Sequence, residues 1–185
     1  MNEERLIQGL KRREREAFER FFYEYASRIG SIAKSYLGSD DVDDIVQEVF
    51  MRVLKGIKRF KGDSKLSTWL YRITVNVCND FLKKRKRHGE VLVDFEDEEE
   101  PPYLEPTSDT DVLREVAEEL SLAMINEIIG KLPPTDRLLI TMRDVNGLSY
   151  EEIANALDIP VGTVKSRLHY AREKLRKLLQ RSEKT

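Results

Sequence analysis

Residues 148–168 constrain this chain more than any other stretch. Leu148-Ser149-Tyr150-Glu151-Glu152-Ile153-Ala154-Asn155-Ala156-Leu157-Asp158-Ile159-Pro160-Val161-Gly162-Thr163-Val164-Lys165-Ser166-Arg167-Leu168 reads as two short helices joined by a tight turn, the second one basic. Ser149 followed three residues later by Glu152 is a capping box, in which the hydroxyl takes the Glu152 N–H and the carboxylate reaches back to the Ser149 N–H. Ile153, Ala154 and Leu157 form the apolar stripe of the first helix, Asp158-Ile159-Pro160 breaks it, and Val161-Gly162-Thr163 opens the second with small residues. The second helix buries Val164, Leu168, Ala171, Leu175 and Leu178 at alternating steps of four and three. Its other faces carry Lys165, Arg167, Arg172, Lys174, Arg176, Lys177 and Arg181, with Glu173 the only acid among them. Such a helix offers cations to phosphates and long donors to base edges in the major groove.

The net charge of −2 hides a pattern that a nucleic-acid partner requires. Residues 1–90 carry a balance of +6, residues 91–120 a balance of −11 and residues 121–185 a balance of +3. Each basic end taken alone permits a nucleic-acid partner. No stretch is apolar enough to span a bilayer, and Met1-Asn2-Glu3-Glu4-Arg5 lacks the basic start and apolar core of a secretory signal. A cytoplasmic protein without direct membrane insertion is expected. Cys78, the only cysteine, lies in an apolar helical pattern and reads as core. With His88 and His169 as the only histidines, no P-loop and no Gly-rich dinucleotide turn, the sequence supports no metal, no cofactor and no catalytic site.

The fold expected is all-α: two small helical domains joined by a flexible acidic linker, with domains at 1–90 and 112–185 and the linker at 91–111. In the first domain Leu6, Ile7, Leu10, Ala17, Phe18, Phe21 and Phe22 repeat at helical spacing, the aromatics reading as core. Ile29, Ile32, Ala33, Tyr36 and Leu37 continue on a second helix that stops at Gly38. Asp40, Asp41, Asp43 and Asp44 crowd the next helix start, as a cap and solvated face or, alternatively, as a cation site. Ile45, Val46, Val49, Phe50, Val53, Leu54 and Ile57 form its buried stripe, and Gly62 ends the run. Ser64-Lys65-Leu66-Ser67-Thr68 supplies the next N-cap, and Trp69, Leu70, Ile73, Val77 and Phe81 line a last helix ending in a basic run. After Glu96-Asp97-Glu98-Glu99-Glu100-Pro101-Pro102, which is linker chemistry, one helix is expected from Val112 to Leu132. Another follows from Asp136 to Val145.

Two further segments carry a family resemblance. Asp44-Ile45-Val46-Gln47-Glu48-Val49-Phe50 and the stretch Phe60-Lys61-Gly62-Asp63-Ser64-Lys65-Leu66-Ser67-Thr68-Trp69-Leu70-Tyr71-Arg72-Ile73-Thr74-Val75-Asn76 resemble region 2 of bacterial sigma factors. Leu132-Pro133 onward, through the helix-turn-helix, resembles region 4. Their order, with only a short linker between them, resembles the extracytoplasmic-function group of the sigma-70 family, over nearly the whole chain.

The resemblance implies roles residue by residue. Asp44, Gln47, Glu48 and Arg52 match the part of region 2 that docks on the beta-prime clamp helices of core RNA polymerase, and region 4 implies a second contact at the beta flap. The loop Phe60, Lys61, Gly62, Asp63, Ser64, Lys65, Leu66, together with Trp69, Tyr71 and Asn76, matches the part that captures a base flipped from the minus-ten element of promoter DNA. Arg72, Lys83, Lys84 and Arg85 match its phosphate contacts. Trp69 serves equally well as a core residue beside Leu70, Ile73 and Val77. In region 4, Lys165, Ser166, Arg167, His169 and Tyr170 match the readers of the minus-thirty-five element, while Thr163 and Arg172 match backbone contacts. Tyr170 stands where an arginine is common in the family and brings no cation. The acidic linker matches a segment that threads the polymerase cleft, either as a nucleic-acid mimic or as a solvated spacer. The resemblance also implies a membrane-linked anti-sigma factor that clamps between the domains.

Two other classes compete with this reading: a helix-turn-helix regulator that binds duplex DNA by itself, and an adaptor whose front half docks on a protein. The segment 60–76 discriminates, since a duplex-only regulator has no use for an aromatic, base-trapping loop. An adaptor, in turn, has no use for Lys165 and Arg167 on a recognition helix.

Overall fold

The computed structural model of the protein describes residues 2–38, 41–86 and 122–182, with side-chain surroundings defined for 2–38, 41–84 and 124–181. Every regular element in these residues is helical, in accord with the all-α expectation, and none of these helices is long and apolar enough to cross a membrane. The chain divides into two compact units, residues 1–92 and 93–185. The acidic segment 91–111, the expected helix start at Val112 and the Arg85 side chain lie outside the described residues.

In the first unit α1 (Glu3–Arg12), α2 (Arg15–Leu37), α3 (Val42–Gly56) and α4 (Leu66–Lys86) follow one another, with a 3-10 turn at Ile57–Arg59 after α3. Helices α2, α3 and α4 each pack against the other two, and α1 lies on α2. Phe21 is fully enclosed and meets Phe50 edge-on, the ring centroids 5.5 Å apart. Ile29, Ile32, Ile45, Val49, Val53, Leu70 and Val77 complete a dry core. Truncating a ring such as Phe21 in such a core costs about 3–5 kcal/mol. Cys78 belongs to it as well, and burial pushes its thiol up to about 12, which keeps it protonated and unreactive.

Three features depart from the sequence expectation. The first apolar repeat is interrupted at Arg13, whose backbone is left-handed (φ 61°) and whose N–H, with that of Glu14, caps the end of α1 on Leu10 and Gly9. Gly9 lies against Ala17 so closely that a Cβ added there would stand 2.6 Å from the Ala17 Cβ, so the two helices meet backbone to side chain. The cap of α4 includes a group from far away: the Glu3 carboxylate accepts the Leu66 N–H at 3.3 Å, a partner that residues 64–68 alone do not reveal. Phe22, read as core, is 45% exposed.

The second unit contains α5 (Leu122–Gly130), α6 (Pro134–Ile140), α7 (Tyr150–Leu157) and α8 (Val161–Ser182). Helix α6 starts two residues before the expected Asp136, because proline suits the first helical turn. It runs into a π turn at Thr141–Val145, where the Asn146 N–H donates to the Thr141 carbonyl five residues back at 2.9 Å. The capping box is present, with Glu152 N–H to Ser149 Oγ at 3.1 Å and Ser149 N–H to Glu152 Oε2 at 2.9 Å. Asp158, left-handed at φ 58°, makes the turn. Along α8 the buried seam is Val164, Leu168, Ala171, Leu175 and Leu179, with Leu178 only half-buried. Each of the two leucines lies three or four residues past Leu175, so only the neighbouring helices decide between them.

Alanine favours a helix over glycine, yet Gly9→Ala is expected to destabilise the first unit by about 1–3 kcal/mol through overpacking against Ala17. Urea unfolding followed by the emission of Trp69, the chain's only tryptophan, reads this unit alone. A raised midpoint would show that α1 and α2 have room to part.

Candidate nucleic-acid interface

Helix α4 shows two characters because its buried side fixes its rotation. Leu66, Leu70, Tyr71, Val77 and Cys78 face inward, at 1% exposure or less. Trp69, Arg72, Asn76 and Lys83, spaced by three, four and seven residues, then share the opposite side; Trp69 is half-exposed and the other three are exposed. Tyr71 is thus taken out of the group expected to touch DNA, its hydroxyl meeting the Arg28 guanidinium at 3.5 Å, and Leu66 is core.

In front of α4 the loop 61–65 is exposed throughout and turns at Gly62, whose φ of 83° suits glycine. Phe60 anchors its start. The Phe60 ring is 7% exposed and stacks on Trp69 at 5.1 Å and 40°. The Glu3 carboxylate on Leu66 fixes its end. Lys58, Arg59, Lys61 and Lys65 are all exposed around it. Lys58 and Arg59, which lead into the loop on the 3-10 turn, add two cations that were not among the residues expected at DNA. An aromatic pair at the foot of a basic, exposed loop can hold an unstacked base while the cations meet phosphates.

Between α3 and α4 lies a groove of about 480 Å³ lined by Asp44, Gln47, Glu48, Met51, Arg52, Asp80, Phe81 and Lys84. All four residues expected to dock on the polymerase are here together. Arg52 donates to Glu48 at 2.8 Å and to Asp80 at 2.8 Å. Its pKa is raised, chiefly by the hydrogen bond to Glu48, with burial working against it. Asp80 and Phe81 were missed in the sequence because their meeting with α3 is long-range. Lys84, expected at phosphates, instead stands 5.7 Å from the centre of the Phe81 ring and lines this groove. Next to it an apolar groove of about 460 Å³ runs over Phe18, Phe22, Val46, Phe50, Met51 and Leu54.

On α8 the expected readers divide. Lys165 is exposed, its ammonium 5.6 Å from the centre of the Tyr150 ring, and the Arg143 guanidinium sits over the same ring at 4.6 Å. Thr163, His169 and Tyr170 are half-exposed. Ser166 is 7% exposed, its hydroxyl donating to the Thr163 carbonyl at 3.1 Å, and Arg167 is 6% exposed. Arg172 does not project from the helix: it donates to Asp144 from Nη2 at 2.5 Å and from Nε at 3.1 Å, both side chains being buried. Lys174 reaches Asp136 at 2.6 Å. These two pairs tie α8 to α6 and its π turn, and so hold the face that carries Lys165.

The chain is similar to known proteins over most of its length. The Sigma-70 region 2 family model matches residues 5–88, and the Sigma-70, region 4 model matches residues 122–175. The chain is 37% identical to the ECF RNA polymerase sigma-E factor of Escherichia coli over 172 residues, covering 91% of this chain and 89% of that protein. It is 32% identical to the ECF RNA polymerase sigma-E factor of Haemophilus influenzae over 184 residues, covering 97% and 96%. In fold it is similar to the sigma factor RpoE of Bartonella quintana, solved with the anti-sigma factor NepR, at TM-score 0.65 and 24% identity over 88% of this chain and 96% of that one. It is also similar in fold to CnrH, solved with the cytosolic domain of CnrY, at TM-score 0.64 and 24% identity over 96% and 97%.

Removing one partner of the buried pair separates support from contact. Asp144→Ala is expected to cost the second unit about 3–5 kcal/mol by stranding the Arg172 charge, whereas exposed Lys165→Ala stays within about 0.5 kcal/mol. Urea unfolding followed by far-ultraviolet circular dichroism measures both. A cost for Asp144→Ala as small as that for Lys165→Ala would mean that the pair is solvated and does not brace α8.

Proposed function

Because the chain belongs to the extracytoplasmic-function group of sigma-70 factors, we propose that it binds core RNA polymerase through the α3–α4 groove, opens promoters with the 60–65 loop and selects them with α8. It acts in the cytoplasm as an initiation factor and performs no bond chemistry of its own. Asp44, Gln47, Glu48 and Arg52 meet the beta-prime clamp helices, with Met51, Asp80, Phe81 and Lys84 widening that surface. The second unit meets the beta flap.

The observation that carries the reading is the Phe60–Trp69 stack at the foot of an exposed basic loop, beside Asn76 and Arg72 on the same side of α4. A base drawn from the non-template strand of the minus-ten element meets aromatic walls there and an amide that can pair with its edge. Trapping it offsets the roughly few kcal/mol of stacking and pairing lost on extrusion, so opening uses binding energy in place of ATP. Lys58, Arg59, Lys61, Lys65 and Lys83 neutralise phosphates around it.

On the second unit Lys165, His169, Tyr170 and Thr163 read and grip the minus-thirty-five element. Arg172 acts from behind by fixing α8 through Asp144. An anti-sigma factor holds the protein inactive by covering the region 2 surface, for which the apolar groove at Phe22 and Met51 is suited.

Run-off transcription with purified bacterial core polymerase over a randomised promoter library tests this. Specific transcripts are expected only when the protein is added, and they supply its promoter. On that promoter, Phe60→Ala or Asn76→Ala is expected to lower open-complex formation roughly 10- to 100-fold, the equivalent of one lost base contact, with polymerase affinity unchanged. Loss of polymerase binding instead would overturn the assignment of the loop.

A further inference from the structure

We propose that Gly56 is a positioning residue for base capture: by having no side chain it lets the Trp69 indole lie against the end of α3 and stack on Phe60. This rests on the reading of the 60–65 loop as the minus-ten element's binding site.

Backbone conformation does not explain a glycine here. Gly56 ends α3 with φ −91° and ψ −26°, right-handed values that any residue adopts, and alanine prolongs a helix better than glycine does. What glycine provides is space. A Cβ on Gly56 would stand 3.1 Å from Trp69 Cζ2 and 3.5 Å from Cη2, whereas at Gly62, Gly130, Gly147 and Gly162 an added Cβ meets nothing within 4 Å. The indole thus occupies the place of the missing side chain.

Phe60 is tied to the same point. Gly56 leads into the 3-10 turn Ile57–Arg59, Ile57 is 1% exposed, and the Phe60 N–H donates to the Ile57 carbonyl at 3.1 Å. That turn delivers the Phe60 ring to the indole at 5.1 Å. Gly56, Phe60 and Trp69 form one wall, with the indole held between the end of α3 and the Phe60 ring. Its position in turn fixes where a base can stack relative to Arg72 and Asn76. A methyl group at Gly56 pushes the indole by a few tenths of an ångström, and a leucine displaces it.

The test uses the full chain with Gly56→Ala and Gly56→Leu. Because Trp69 is the only tryptophan, its emission in the free protein reports the indole's surroundings directly, and both variants are expected to shift it. Holoenzyme assembled with each variant is then titrated with a labelled single strand carrying the minus-ten sequence selected by run-off transcription. Gly56→Leu is expected to weaken binding about 10-fold, as for loss of one stacking contact, and Gly56→Ala by a smaller factor, while the urea midpoint of Gly56→Ala stays level or rises. In a Trp69→Phe background, which removes the atoms that Gly56 accommodates, Gly56→Ala is expected to have no further effect.

Shifted emission with unchanged affinity, or the same loss in both backgrounds, would overturn the proposal. So would a loss of affinity by Gly56→Ala that only follows a lowered urea midpoint, since that is the signature of a structural role. Phe60→Ala serves as the control for the underlying reading. If it leaves single-strand binding intact, the loop does not capture bases; if it abolishes binding and the Gly56 variants do not alter it, only the role of Gly56 fails.

Discussion

Helix α4 has one rotation about its axis at which Leu66, Leu70, Val77 and Cys78 are all enclosed, and the functional surface of the first unit depends on that rotation. Helical geometry then leaves Trp69, Arg72, Asn76 and Lys83 on the outside and turns Asp80, Phe81 and Lys84 toward α3. One buried stripe thereby sets two surfaces on the same element, the exposed face proposed to meet nucleic acid and the groove proposed to dock polymerase. The arrangement is stiff where it must be, because the α2–α3–α4 packing fixes the helix. It is open where it must be, because among the described residues the segment in front of α4 is a short exposed loop held at both ends, by the Phe60–Trp69 stack and by the Glu3 carboxylate.

The second unit solves a related problem with charge. A helix as basic as α8 has many cations to place, and two of them are turned to internal use through Asp144 and Asp136. A buried ion pair such as Arg172–Asp144 contributes little net stability, yet breaking it is costly, so its value lies in specifying one arrangement. The π turn fits this account, since it carries Asp144 at the end of α6 and brings it to Arg172. Lys165, over the Tyr150 ring, stays exposed, which suits the DNA contact proposed for it.

What could be read from the residues alone was local. The capping box at Ser149 and Glu152, the stop at Gly38 and the break at Asp158 each involve groups within four residues of one another, and the structure contains all three. The helix break at Arg13 was hidden because neither glycine nor proline marks it; the close seat of Gly9 on Ala17 does, and that is a contact between helices. Glu3 as the cap of α4 was hidden for the same reason. Hydrophobicity placed Phe22 inside although its ring leans on Phe50 of α3 and is otherwise open in a groove, and charge placed Arg172 at DNA although Asp144 claims it. For Trp69, which the sequence offered as core or as part of a base-capturing site, one part of the indole is packed on Gly56 and Phe60, and the rest stays accessible.

The account turns on whether an unpaired base reaches the Phe60–Trp69 wall. Photocrosslinking of holoenzyme to promoter DNA carrying 5-bromouracil in the non-template strand of the minus-ten element, with the attached residue mapped by mass spectrometry, tests this most directly. Crosslinks within residues 60–76, formed on opened promoter and absent on closed duplex, are the expected result. Crosslinks confined to the second unit, or equal on closed and opened DNA, would contradict it.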